Sequence, residues 1–179
     1  DESGRVPFIF NNKGDFEFEV RFGGDVLLFM MHSNVFEFPR NSDLFKTMYL
    51  KKDKNRSYCG IINIYNFLGD SLKYNRMNDL GYLIGRIFIN KERHYLLEGK
   101  RELGLLYNNF ETDVLDEVHA GQILRSAIEY TINFDLLTPP YQAVQQISVY
   151  DIRTTLDNMQ LKTGKRLGFK FQADSKDPE

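Results

Sequence analysis

The chain has 179 residues, 42% of them hydrophobic, 14% aromatic and 27% charged, with a net charge of −2. That length suits one compact domain with its own core. The mixture excludes a wholly disordered, collagen-like or low-complexity chain, and the charge balance excludes a protein that is basic along its whole length.

No apolar run reaches the ~18 residues of a membrane span; the run at 26–31 is strand-sized. A single cysteine, Cys59, makes an internal disulfide impossible, and its apolar neighbours Ile61 and Ile62 mark it as a buried strand thiol. The chain begins at Asp1 rather than Met, which reads as a processed product or a piece of a longer protein. No signal peptide is visible, so the cytoplasm is the default expectation for its compartment. Asn55-Arg56-Ser57 matches a glycosylation acceptor, a pattern too short to assign a compartment.

Residues 7–10 predict a first strand, turned by Asn12-Lys13-Gly14. In 16–22, Phe16, Phe18, Val20 and Phe22 alternate with Glu17, Glu19 and Arg21, the period of a strand with one buried face. Gly23-Gly24 then predicts a tight hairpin into 26–31. Residues 34–38 extend that third strand past a bulge. A strand is expected at 44–50, and the charged run 51–56 should be the turn that joins it to a central strand at 58–65.

Residues 66–76 permit a short helix through Phe67, Leu68 and Leu72. Residues 82–89 and 94–98 predict a hairpin turned at 90–93. The period then changes: Val118, Ile123, Ala127, Ile128, Thr131 and Phe134 share one helical face in 118–134, ended by Thr138-Pro139-Pro140. Ser148 has the sequence of an N-cap, with Asp151 completing a capping box and Ile147 and Ile152 a hydrophobic staple. That second helix is expected to run to about residue 159. Thr163-Gly164-Lys165 lacks the upstream glycine of a phosphate loop and reads as a helix C-cap. A last strand at 166–172 alternates Leu167, Phe169 and Phe171 with Arg166, Lys170 and Gln172. The expected architecture is therefore α+β: one domain over 1–173, a polar tail at 174–179, and a mainly antiparallel sheet. Two longer C-terminal helices should pack on one face, and the final strand should return to the sheet.

Charge is segregated along the chain. Residues 1–43 carry 4 basic and 8 acidic side chains, 44–101 carry 12 and 5, 102–161 carry 2 and 9, and 162–179 carry 5 and 3. A basic sheet surface in 44–101, formed by Lys51, Lys52, Lys54, Arg56, Tyr58, Tyr65, Arg86, Arg93 and Tyr95, would attract an anionic partner such as nucleic acid or an acidic protein surface. Cations beside aromatic rings are what single-stranded nucleic-acid sites use.

His32, His94 and His119 lack metal-ligand spacing. One arrangement has catalytic chemistry in it: Asp79, followed by Glu98-Gly99-Lys100 at the end of an expected strand. Two carboxylates can share a Mg²⁺, and a lysine two residues on projects to the same strand face. These three positions resemble the PD-(D/E)xK nuclease pattern, with Gly99 where that pattern has an apolar residue. The resemblance implies Asp79 and Glu98 as metal ligands and Lys100 beside the reacting phosphate. A third reading is an assembly subunit that pairs with a second copy or a partner through Phe-rich strand edges. The sequence favours a non-catalytic binding module, with no cofactor, over both.

Overall fold

The period-two pattern at 16–22 sends phenylalanines to one face of a strand and charges to the other, and that division organises the sheet. The computed structural model describes residues 7–99, 108–133 and 146–154. Strands β1 (Phe8–Asn12), β2 (Glu17–Phe22), β3 (Asp25–Met31), β4 (Phe36–Glu37), β5 (Tyr58–Leu68), β6 (Leu80–Asn90), β7 (Tyr95–Gly99) and β8 (Gln146–Ser148) form one antiparallel sheet. Its main path is β1-β2-β3-β5-β6-β7. β4 pairs with β5 beyond the end of β3, and β8 pairs with β6 beyond the end of β7. Gly23, at φ +55°, makes the two-residue turn between Phe22 and Asp25.

One face is continuously apolar. Val20, Phe22, Leu27, Ile64, Ile84 and Ile87 pack there beneath Ile123, Ala127 and Tyr130 of a long helix, Glu117–Asn133. A bulge at Ile64/Tyr65 resets the β5–β6 register, so Ile84 and Ile87 reach the same core despite their odd spacing. Val118, expected on the buried helical face, is 65% exposed, and Tyr130 is buried instead.

The opposite face holds two separate clusters. Leu28, Met30, Tyr65 and Phe67 lie under Val149 and Ile152 of the helical residues 149–154. Phe38, Tyr49, Leu50, Cys59, Phe88 and Phe110 form the other, at the far end of the sheet. The chain is thus a sheet-rich α+β arrangement in which helical cover lies on both faces. This corrects the expectation of helices on one face only. The reason is in β3: Leu27 faces the long helix and Leu28 faces residues 149–154, so a strand buried on both sides needs cover on both.

The expected strand at 44–50 is a second correction. Residues 42–57 form three short helical turns: a 3-10 turn at Asp43–Lys46, helix α1 at Met48–Lys52, and a 3-10 turn at Lys54–Ser57. Each is started by a side-chain cap, from Ser42, Thr47 and Asp53 respectively. Residues 66–76 divide differently from expectation: β5 continues to Leu68, and a helix, α2, occupies only Gly69–Lys73. The long helix Glu117–Asn133 is α3. At 148–151 the capping box forms, Asp151 N–H donating to Ser148 Oγ at 3.1 Å and Ser148 N–H to Asp151 Oδ2 at 3.2 Å. The continuation of this helix past 154, Phe134, the Thr138-Pro139-Pro140 stop, the strand 166–172 and the tail 174–179 lie outside the described residues. Among those described, no helix is long and apolar enough to cross a membrane.

Candidate functional site

The capped turns at 42–57 sit over the end of the sheet where β6 turns into β7, and Tyr49 fastens the two together. Its hydroxyl donates to Glu92 Oε2 at 2.9 Å and accepts from Asn90 Nδ2 at 2.9 Å. Its backbone N–H donates to Glu111 Oε1 at 3.1 Å. The Arg56 guanidinium lies 4.3 Å from the centre of the Tyr49 ring, and the His94 ring stacks at 4.2 Å. Both groups pack against the ring, which is 8% exposed.

Arg56 Nε also donates to Glu92 Oε1 at 3.1 Å, and its Nη1 donates to the Tyr49 carbonyl at 3.0 Å. Asn90 Oδ1 accepts from the N–H groups of Glu92 and His94, shaping the β6–β7 turn. His94 Nδ1 meets the Phe110 carbonyl at 2.9 Å. Burial raises the Tyr49 phenol above its ordinary value, while hydrogen bonds from Tyr49 and Arg56 lower Glu92. Tyr49 therefore stays a neutral donor and Glu92 an anion. Around these groups opens a cavity of about 390 Å³ lined by Met48, Tyr49, Lys52, Arg56, Glu92, His94 and Glu111.

Of the residues expected from sequence, this end gathers Lys51, Lys52, Lys54, Arg56 and Arg93, with Lys91 beside them. Lys91 pairs with Asp53 at 3.4 Å and Arg56 with Glu92. Lys51, Lys52, Lys54 and Arg93 are exposed and have no ion pair among the described residues.

The tyrosines do not join them as expected. Tyr65 is buried under residues 149–154 and Tyr95 under α3, on opposite faces of the sheet. Tyr58 is half-buried at the start of β5. Arg86 lies mid-sheet, 3.8 Å from Glu98. The exposed tyrosine of the basic segment is Tyr74, 58% exposed, with Lys73 and Arg76 over its ring at the opposite end of the sheet.

The arrangement resembling a nuclease is not assembled. Asp79 precedes β6 and accepts from Ser71 Oγ at 2.7 Å, whereas Glu98 lies opposite Arg86 in β7. The intervening strand length separates them by roughly 20 Å, too far to share one metal ion. Lys100 lies outside the described residues. Among those described, no group of three His, Cys, Asp or Glu side chains is placed to hold a metal.

Cys59 is 1% exposed, and burial pushes its thiol up to about 12. We expect it to resist a thiol reagent at pH 8 in the native protein and to react fully in denaturant, because the thiolate is the nucleophile. Stoichiometric labelling of the folded chain would contradict this placement.

Tyr49, Glu92, His94 and Glu111 were not singled out from sequence as a unit. The available signal was the turn motif Asn90-Lys-Glu-Arg93 facing a second charged run at 51–56. Comparison with protein-family models, curated proteins and solved structures finds no match.

Chemically the end of the sheet presents ammonium and guanidinium groups, unpaired among the described residues, around a hydrogen-bonded floor. Tyr49 is 8% exposed, so that ring is closed to stacking by a ligand.

Proposed function

We propose that the protein is a non-catalytic binding domain that engages an anionic partner, phosphate-bearing nucleic acid being the first to test, at the cationic end formed by 48–57 and the β6–β7 turn. The observation that carries this reading is the convergence of Lys51, Lys52, Lys54 and Arg93, exposed and unpaired among the described residues, from two segments far apart in sequence. Unpaired surface cations at one pole of a weakly acidic chain make a local positive field. With the Tyr49 ring buried, recognition here is electrostatic and not by base stacking, so it should be strongly salt-dependent and weakly sequence-dependent.

Titration of a fluorescent single-stranded oligonucleotide tests it. Three to four phosphate contacts give a slope of about −2 to −3 in log K against log salt, hence an affinity loss of roughly 16- to 60-fold between 50 and 200 mM salt. The triple substitution Lys51→Glu, Lys52→Glu, Lys54→Glu should abolish most of the binding while leaving thermal unfolding nearly unchanged, since these side chains are exposed. Absence of binding at low salt, or full binding by the triple variant, would remove the nucleic-acid form of the reading.

A further inference from the structure

The two edges of the sheet differ. At β7 the edge is occupied: Tyr95 N–H donates to the Asp113 carbonyl, Leu97 N–H donates to Asn108 Oδ1, and His94 bridges Val114. At β1 no strand lies alongside among the described residues. Lys13 N–H donates to the Glu17 carbonyl, and the antiparallel register then turns the backbone groups of Asn11 and Ile9 towards β2. The N–H and C=O groups of Phe8 and Phe10 therefore face outwards. Phe8, Ile9 and Phe10 are 45%, 52% and 55% exposed. β1 carries no charged side chain, bulge or internal proline, the devices that normally protect an edge.

Three features select a second copy of the chain as the occupant. The first is the pattern of β1 itself. With a second β1 antiparallel beside it and Ile9 facing Ile9 across a two-fold axis, Phe8 of each copy stands opposite Phe10 of the other. Both positions direct their backbone groups outwards, so this register pairs them reciprocally. Residues opposite one another share a face. Phenylalanine then meets phenylalanine on the face of Phe18 and Phe22, and isoleucine meets isoleucine on the other. The new contacts extend a row of rings that stops at this edge, Phe8 against Phe22 at 5.5 Å and Phe10 against Phe18 at 6.2 Å.

The second feature is charge. β1 has none, and the charged row Glu17, Glu19 and Arg21 lies one strand further in. Three strand steps of ~4.8 Å hold the two charged rows ~14 Å apart, beyond the Debye length of ~10 Å at 0.1 M salt. The third is closure. Only one edge is open among the described residues, so copies cannot add edge to edge into a filament, and a self-complementary contact stops at two.

We propose that the protein forms a two-fold dimer in which β1 pairs antiparallel with β1 of a second copy, centred on Ile9. The pairing uses no residue of the cationic end. A contact of one strand edge is small, so association belongs in the micromolar range.

Sedimentation and amide hydrogen exchange on the full chain test it between about 1 and 300 μM. Across that range the mass should double, and the Phe8 and Phe10 amides should exchange at least about tenfold more slowly at the upper concentration than at the lower. Ile9→Lys sets like charges opposite each other at the axis and should stay monomeric throughout. Ile9→Glu should do the same, and an equimolar mixture of the two variants should recover the dimer, because position 9 faces itself in this register. A wild type that is monomeric at every concentration would overturn the proposal. So would slow exchange at Phe8 and Phe10 that is independent of concentration, which would place another part of the same chain on the edge. Undiminished association of Ile9→Lys, or a mixture that stays monomeric, would overturn it as well. If either variant fails to fold, the concentration dependence of the wild type decides.

Discussion

Replacing Gly81 with alanine should destabilise the protein by about 3 kcal/mol, the upper part of the range for forcing a methyl into a filled core. A Cβ at Gly81 would stand 2.2 to 2.5 Å from the ring atoms of Phe67. Phe67 is fully buried, in the cluster with Leu28, Met30, Tyr65, Val149 and Ile152, so its ring has nowhere to retreat. The register that pairs Asn66 with Tyr82 places Phe67 next to Gly81 across the β5–β6 ladder, and the ring lies where a side chain would otherwise rise. The same residue pairs with Ile147 of β8, so a shift at Gly81 would also disturb the strand that launches the helical residues 149–154. Chemical denaturation measures the cost. A second substitution, Phe67→Leu, should cost less in the Gly81→Ala background than alone, by about 1–2 kcal/mol of coupling. Additive losses would mean that the clash is relieved elsewhere.

The strands were legible wherever the period of two was clean. Phe18, Val20 and Phe22 against Glu17, Glu19 and Arg21, closed by Gly23-Gly24, leave little else for that stretch to form. Helical cover on both faces was legible too, but in a feature read only for its length. The run at 26–31 is apolar at consecutive positions, and a strand with no polar row has no face to give to water. The stretch 42–57 misled for a different reason. Leu44, Phe45, Met48 and Leu50 fit either period over so short a span, and the deciding signal was the series Ser42, Thr47 and Asp53, each capping one turn. Local side-chain-to-backbone hydrogen bonds outcompeted strand propensity there.

The site shows the same division. The excess of cations in 44–101 was visible in the sequence, and the structure draws Lys51, Lys52, Lys54 and Arg93 to one end. What organises that end was not visible. Tyr49 and Glu92 are 43 residues apart and meet only because the β5–β6 hairpin brings the α1 segment over the β6–β7 turn. Composition could not separate Tyr65 and Tyr95, which fill opposite cores, from Tyr74, which stays in water. In strands the tyrosine ring is as useful for packing as for binding. Exposure is set by what covers each face, and that is a property of the whole chain.

Arg21→Met should lower stability by about 2 kcal/mol, because it takes one charged hydrogen-bond partner from a buried carboxylate. That carboxylate is Glu19, 1% exposed although it belongs to the charged row of β2. Its Oε1 accepts from Arg21 Nε at 2.6 Å and from Asn11 Nδ2 at 2.8 Å, and Lys13 Nζ stands 3.3 Å from Oε2. Burial pushes the Glu19 carboxyl up, but the hydrogen bonds from Arg21 and Asn11 and the Lys13 charge outweigh it and hold the group below its ordinary value. A carboxylate lowered in the folded state contributes stability that is fully present above its unfolded value, near 4.3. That contribution is lost as pH falls through the lower, folded value. The neighbouring Glu17 has the opposite sign: burial raises it, so protonation there favours the fold and partly offsets the loss. Glu19→Gln removes the first contribution and leaves the second. Its denaturation midpoint should therefore start below the wild type at pH 7, and the two should converge as pH falls below about 4. Parallel curves for wild type and Glu19→Gln across that range would show that Glu19 does not hold its charge in the folded protein.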